Sequence, residues 1–186
     1  MLETQNLVLI LPGREHESAA KEYIAEHKAN GELHLHGASL LETMDYDSWL
    51  SIMERSKREE TAPFDWVAAT ELFALRKSDG RLVGMINIRH SLNDFLRSYG
   101  GHIGYGVRPS ERRKGYATQM LALGLAYAKE IGLKRVMVSC NKSNVASAKT
   151  IIGAGGVLER EFLHDDGEVV QIYWIALTKD KTEEGK

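Results

Sequence analysis

Residues 108–118 read Arg-Pro-Ser-Glu-Arg-Arg-Lys-Gly-Tyr-Ala-Thr, and here the residue types come closest to naming a ligand. The stretch opens the clearest helix of the chain, Gly115 to Glu130, with Ala117, Leu121, Leu125 and Ala128 on one face. A helix N-terminus exposes unpaired N–H groups carrying about half a positive charge, and Gly115 removes the side chain that would keep a phosphate from them. Arg112, Arg113 and Lys114 add cationic groups at the same mouth. Those cations oppose the helix dipole, a conflict that a bound polyanion would resolve. The composition alone is matched equally well by a solvated basic turn. Two other phosphate loops are excluded: Lys114-Gly115 reverses the order of a P-loop, and Pro109 stands where a dinucleotide fingerprint needs its third glycine.

The elements that must position this turn are legible from periodicity. Ile103-Gly104-Tyr105-Gly106-Val107 is a strand ended by Arg108-Pro109, since proline cannot donate to a ladder and restricts the residue before it. Strands are predicted at Leu7–Leu11, Trp66–Leu75, Leu82–Ile88, Gly101–Val107, Arg135–Cys140, Val157–Leu163 and Val169–Leu177. Ser78-Asp79-Gly80 and Asp165-Asp166-Gly167 mark hairpin turns. Helices are predicted from Arg14 to Lys28, from Asp45, from Gly115 and from Asn144 to Ile152. The strand–helix–strand order around Gly115–Glu130 predicts a right-handed parallel crossover. Residues 179–186 are charged and read as a frayed end.

At 186 residues, a single domain over 1–186 is expected, with enough chain for a sizeable core. Lys plus Arg number 24 against 26 Asp plus Glu, so no bulk positive field recruits nucleic acid. Cys140 is the lone cysteine, which excludes an internal disulfide and a multi-thiolate zinc cage and points to a reduced, cytoplasmic setting. No secretory start and no apolar run of about 18 residues occurs, so neither export nor a membrane span is expected. His34 and His36 share a face with Glu32 but lack a third ligand, so no metal is expected.

The chain resembles the GNAT superfamily of acyl-CoA-dependent N-acyltransferases. That family places Arg or Gln, two free positions, Gly, one free position, then Gly or Ala at a strand-to-helix turn, and Arg112-Arg113-Lys114-Gly115-Tyr116-Ala117 fits throughout. Ile103–Pro109 is similar to the family's fourth strand, and Asn144-Val145-Ala146-Ser147 with Gly155-Gly156 to its next motif. The likeness covers about residues 65 to 177, and the first 60 only by element order. It implies an α/β fold with a mixed sheet of about seven strands, mostly antiparallel, with a parallel pair of strands four and five that splits, flanked by about four helices. Acetyl-CoA would be the cosubstrate. The N–H groups of Arg113, Lys114, Gly115, Tyr116, Ala117 and Thr118 would cradle its diphosphate, the backbone of Tyr105 and Val107 would pair with the pantetheine arm, and Asn144 would hold that arm from the other side. Asn144 is equally a good helix N-cap.

Transfer to an amine requires the free base, and an aliphatic ammonium is neutral in only about one molecule in 2,500 at pH 7. The family often has Glu before the Ile-Gly-Tyr; His102 stands there, with a reference pKa near 6.5 that suits a general base. A buried structural histidine is the competing reading. The tyrosine that many relatives carry seven residues after the asparagine is replaced by Ile151, whereas Ser147 fits a branch that includes ribosomal-protein N-terminal acetyltransferases and is the candidate proton donor to the thiolate. The acceptor expected is a primary amine on a small molecule, peptide or protein, with Arg89, His90, Asn93 and Asp94 near its path. Acyl-CoA sensing without turnover and O-acylation are the alternatives. The terminal hairpin offers a surface for a homodimer.

Overall fold

In the computed structural model, which describes residues 2–177, strands β1 (Leu2–Glu3), β2 (Leu7–Ile10), β3 (Ala69–Arg76), β4 (Leu82–Arg89) and β5 (Ile103–Val107) form one sheet in sequence order. Every neighbouring pair in it is antiparallel. A second antiparallel sheet holds β6 (Arg135–Asn141), β7 (Val157–Leu163) and β8 (Val169–Ala176) in the order β6-β8-β7. Four α-helices accompany them: α1 (Glu17–Ala29), α2 (Tyr46–Ser56), α3 (Tyr116–Glu130) and α4 (Val145–Gly153). The segment 179–186, expected as a frayed end, lies outside the described residues.

Strand alternation sends the two faces of the first sheet into different cores. Leu72, Ala74, Ile86 and Ile88 pack with Met120 and Leu121 of α3, and this cluster runs on into Val136, Val138 and Ile175 of the second sheet. Phe73 and Met85 face the other way, onto Tyr23 of α1 and Trp49 and Met53 of α2. Close contact between α3 and the sheet depends on Gly124, where a Cβ would fall 2.7 Å from Ile86 Cδ1. The β3–β4 hairpin turns at Ser78-Asp79-Gly80 as expected, with Gly80 at φ 70° and Arg76 N donating to Arg81 O at 2.9 Å.

Three local readings change. The strand expected from Trp66 begins only at Ala69, because the Pro63–Trp66 turn precedes it and Ala68 N donates to the Glu59 carboxylate at 2.9 Å. The short β1 is an eighth strand. The parallel pair expected of β5 and β6 is not a ladder: the two strands belong to separate sheets. Among the described residues one main-chain hydrogen bond joins the two sheets here, His102 N donating to Met137 O at 2.8 Å. Gly101, at φ 67°, lets the chain come this close, since a Cβ there would sit 2.7 Å from Met137 O. Beyond His102 the strands diverge, leaving one side of β5 without a strand partner.

Candidate active site

The divergence of β5 and β6 opens a cleft of about 1910 Å³. The main chain of Ile103–Val107 forms one wall, and Ser139, Cys140, Asn144 and Ser147 form the other. Arg112–Thr118 closes one end, while Ser39, Asn87 and Arg89 lie at the opposite end.

The closing turn has the geometry of an anion cradle. Arg113 (φ 64°) and Gly115 (φ 80°) are both left-handed, which turns successive N–H groups toward one side. Among the described residues, the N–H groups of Arg113, Lys114, Gly115, Tyr116, Ala117 and Thr118 donate to no protein acceptor; the first bond of α3 is Gln119 N to Gly115 O at 3.2 Å. Six consecutive unpaired donors at the positive end of a helix fit a diphosphate.

The basic side chains around this turn are held by carboxylates rather than left free. Arg112 donates from both terminal nitrogens to Glu32 at 2.6 Å and from Nε to Val107 O at 3.1 Å. Lys114 donates to Glu111 at 2.8 Å, and Arg76 reaches the same carboxylate at 2.9 Å. The Arg112 guanidinium therefore acts as a strut between β5 and the end of α1. Arg113 makes no ion pair among the described residues, so its side chain remains for an incoming anion. The conflict between the cations and the helix dipole is met largely by these acids.

The Arg112 guanidinium, followed by further donors from His27 and Asn30, holds the Glu32 carboxyl down at about 2, whereas an unfolded Glu titrates near 4.3. Stability linked to this pair is thus complete above the unfolded value and fades as pH falls through that window. Glu32→Gln should weaken acetyl-CoA binding about three- to tenfold by loosening the turn, as read by calorimetry, with little change in the transfer step; unchanged affinity would contradict the strut.

On the facing walls, the Tyr105 phenol and the Ser147 hydroxyl lie 3.0 Å apart. Ser147 N donates to Asn144 Oδ1 at 3.1 Å, so Asn144 caps α4 and in doing so fixes Ser147 at the cleft. The Cys140 thiol is buried beside them, and burial pushes its pKa up. Ile151 is fully buried core. The family resemblance assigns Tyr105 a backbone role only, whereas here its side chain also reaches the cleft. The available signal was strand alternation, which puts Tyr105 on the same face as Ile103 and Val107, toward α3.

His102 sits differently from the residue expected. Its ring is 6% exposed, does not line the cleft, and packs edge-on against Trp174 with centroids 6.0 Å apart. Nδ1 accepts from Met137 N at 2.9 Å, which places the ring proton on Nε2. Burial, reinforced by Arg89, Arg97 and Arg135, lowers its pKa to about 4. The imidazole and the adjacent main chain together clasp the two sheets just ahead of β5.

At the acceptor end, Arg89 Nη1 donates to Gly100 O and Gly101 O at 3.1 Å each, fixing the turn that precedes β5. Asn93 bonds Asp65 O and Leu96 N, and Asp94 also borders the cleft. His90 turns away to Thr70 at 2.9 Å. Glu42, Glu59, Asp65 and Asp94 make this mouth acidic, and Phe64 (92% exposed) and Phe95 (63% exposed) make it apolar as well. Beneath it lies Glu71, a buried carboxyl within an otherwise largely apolar strand. His34 is exposed, and among the described residues no group of three or more His, Cys, Asp or Glu side chains could hold a metal ion.

Comparison with known proteins places this arrangement. No curated protein sequence matches the chain. Among solved structures, it is similar to the microcin C7 self-immunity acetyltransferase MccE in complex with acetyl-CoA and AMP, at 18% identity and TM-score 0.69 over 93% of each chain. It is similar also to RimL, the ribosomal L7/L12 alpha-N-protein acetyltransferase, in complex with coenzyme A, at 15% identity and TM-score 0.68 over 93% of this chain and 95% of that one. A third is the Salmonella typhimurium acetyltransferase that modifies the N-terminal serine of 50S ribosomal protein L7/L12, at 16% identity and TM-score 0.63 over 93% and 96%. At such identities the likeness concerns the fold. The family model of the GNAT acetyltransferase domain matches residues 9–157, the span that carries β5, the N–H cradle and α4, and the chain therefore belongs to the GNAT acetyltransferase family.

Proposed function

We propose that this acyl-CoA-dependent acetyltransferase moves the acetyl group of acetyl-CoA to a primary amine by direct attack within a ternary complex. The observation that carries the reading is the row of six unpaired N–H groups at residues 113–118, set at one end of a cleft whose wall, β5, has a free strand edge. The diphosphate would rest on the turn, beside the free Arg113 side chain. The backbone of Tyr105 and Val107, with the Val107 carbonyl already accepting from Arg112 Nε, then faces the pantetheine amides, as an edge strand faces an added strand. Asn144 contributes from the far wall, by its own side chain and by holding Ser147.

The same placement brings the thioester near Tyr105 and Ser147. As the C–S bond breaks, the pair supplies a proton to the thiolate, with Tyr105 standing in for the tyrosine that Ile151 replaces. Removing both hydroxyls by Tyr105→Phe with Ser147→Ala should lower kcat about 10²-fold at unchanged acetyl-CoA affinity, because a general acid acts only in the transition state. Loss of binding instead of turnover would assign the pair to positioning.

The acidic, partly aromatic mouth favours a cationic acceptor attached to an apolar or peptide body. Two of the similar structures are protein amino-terminal acetyltransferases, which makes a peptide N-terminus the first acceptor to try. Thiol release from acetyl-CoA with a serine-initiated peptide, lysine amide and spermidine tests the reading. Acceptor-dependent release is expected, and tight binding without release would favour a sensor.

A further inference from the structure

We propose that Ser39 and Glu71 form the proton-accepting couple of the acceptor site, the Ser39 hydroxyl contacting the incoming amine and Glu71 taking up the proton behind it. This rests on the amine-acetylation reading above. Glu71 lies in the middle of β3 opposite Asn87 of β4, whose own partner across the sheet is Gly104 of β5, next to the cleft wall at Tyr105. The carboxyl is only 2% exposed. One oxygen, Oε2, accepts from Ser39 Oγ at 2.6 Å and from Asn87 Nδ2 at 3.2 Å. The other, Oε1, is buried without a partner among the described residues. A buried carboxyl with one orphaned oxygen is costly and calls for a reason. Ser39 and Asn87 line the cleft while Glu71 does not, so both of its contacts lead to the site.

The segment that carries Ser39 is held in a disfavoured conformation. Gly37 (φ 73°), Ser39 (φ 47°) and Leu40 (φ 65°) are all left-handed, two of them without the freedom of glycine. Trp49 Nε1 of α2 anchors the turn by donating to Ala38 O at 3.0 Å and Ser39 O at 3.2 Å. Gly37 lies so close to β5 that a Cβ would fall 2.6 Å from Tyr105 Cα. The result is a hydroxyl fixed between the cleft and a buried carboxyl, the arrangement by which a hydroxyl passes a proton to a base.

Among the described residues, the charged and titratable groups that act on Glu71 are Arg89 of β4 and Tyr23 of α1. Arg89 and the two hydrogen bonds favour the carboxylate, but burial outweighs them and raises the Glu71 pKa to about 8. That value brings the carboxyl closer to an amine in basicity than a solvent-exposed carboxylate is. The proton count closes with the couple in place. Of three protons on an ammonium acceptor, one passes through Ser39 to the Glu71 carboxylate, one reaches sulfur by way of the Tyr105–Ser147 pair, and one stays on the amide nitrogen. The nitrogen lone pair forms the C–N bond as the C–S bond breaks, and Glu71 afterwards releases its proton to solvent.

The test is thiol release from acetyl-CoA between pH 6 and 10, with the three amines named above and, in a separate arm, with water as the only acceptor. The unaltered protein should show a rate rising through an inflection near pH 8 that stays at the same pH for acceptors of different basicity, as Glu71 ionises, whereas an inflection from the amine itself would move with the acceptor. Glu71→Gln should be slower by at least about 10²-fold and lose the inflection while acetyl-CoA affinity stays within about threefold by calorimetry. Glu71→Asp should recover part of the rate. Ser39→Ala, at a half-buried turn, should lose about tenfold and carries the test if the Glu71 variants fail to fold. A Glu71→Gln or Ser39→Ala protein with the native rate and inflection overturns the couple. If the unaltered protein binds acetyl-CoA but releases no thiol in any arm, amine acetylation itself falls and the couple with it.

Discussion

Gly115→Asp is expected to lower acetyl-CoA affinity by about 10²–10³-fold, some 3–4 kcal/mol, while leaving the fold intact. Gly115 is the N-cap of α3 at φ 80°, and a Cβ built on it meets nothing within 4 Å, so steric damage is small. Aspartate tolerates the left-handed region better than most residues. Its carboxylate would lie among the unpaired N–H groups of residues 113–118, satisfying some of them and repelling a diphosphate from the rest. Folding stability should change by no more than about 1 kcal/mol, since capping gain and backbone strain oppose each other. Gly115→Asn separates charge from shape: it should lose roughly tenfold or less. Titration calorimetry and thermal unfolding of the two variants measure both effects. Equal losses for Asp and Asn would mean that the turn excludes the ligand by bulk and does not hold an anion.

His102→Ala should act on stability far more than on catalysis. The substitution leaves Met137 N–H buried without an acceptor and opens a void against Trp174, each worth about 1–3 kcal/mol, for a combined cost of about 3 kcal/mol. A pH signature accompanies it. The folded pKa of about 4 lies below the unfolded value near 6.5, so the unfolded state binds more protons between them. Stability from the neutral ring is complete above pH 6.5 and is lost as pH falls toward 4, by about 3 kcal/mol in all. Denaturant unfolding from pH 4 to 8 should show this slope in the stability difference between the unaltered protein and His102→Ala, because the raised pKa of buried Glu71, which acts with the opposite sign, is common to both. The pH profile of turnover in folded His102→Ala should keep its inflection. If turnover collapsed while stability held, the ring would be the base after all.

How far these features could be read from the sequence follows from how local their causes are. The turn at Arg112–Ala117 was legible because its donors are main-chain groups. Their presentation depends on consecutive residues: a strand stop at Pro109, a glycine at position 115 and a helix directly after it. Asn144 was legible for the same reason, and its capping and its hold on Ser147 proved to be one bond. His102 misled because its neighbour in sequence, Ile103, belongs to the cleft wall while its own ring points to Met137, 35 residues away in the other sheet. The divergence of β5 from β6 depends on that same non-local clasp. Glu71 was hidden in a run of strand formers, although a lone carboxylate in a buried strand is itself a signal, since such groups are rarely buried without a partner. Ser39 could not be placed at all: the segment from Glu32 to Met44 has no period, and its left-handed turn is imposed by Trp49 and by contact with β5.

Amide hydrogen exchange across residues 113–118, with and without acetyl-CoA, tests the central claim most directly. Free, these six N–H groups have no acceptor among the described residues and should exchange quickly; with acetyl-CoA bound, they should become the most strongly protected new set in the chain. Binding that leaves residues 113–118 unprotected, or no binding at millimolar ligand, would contradict it.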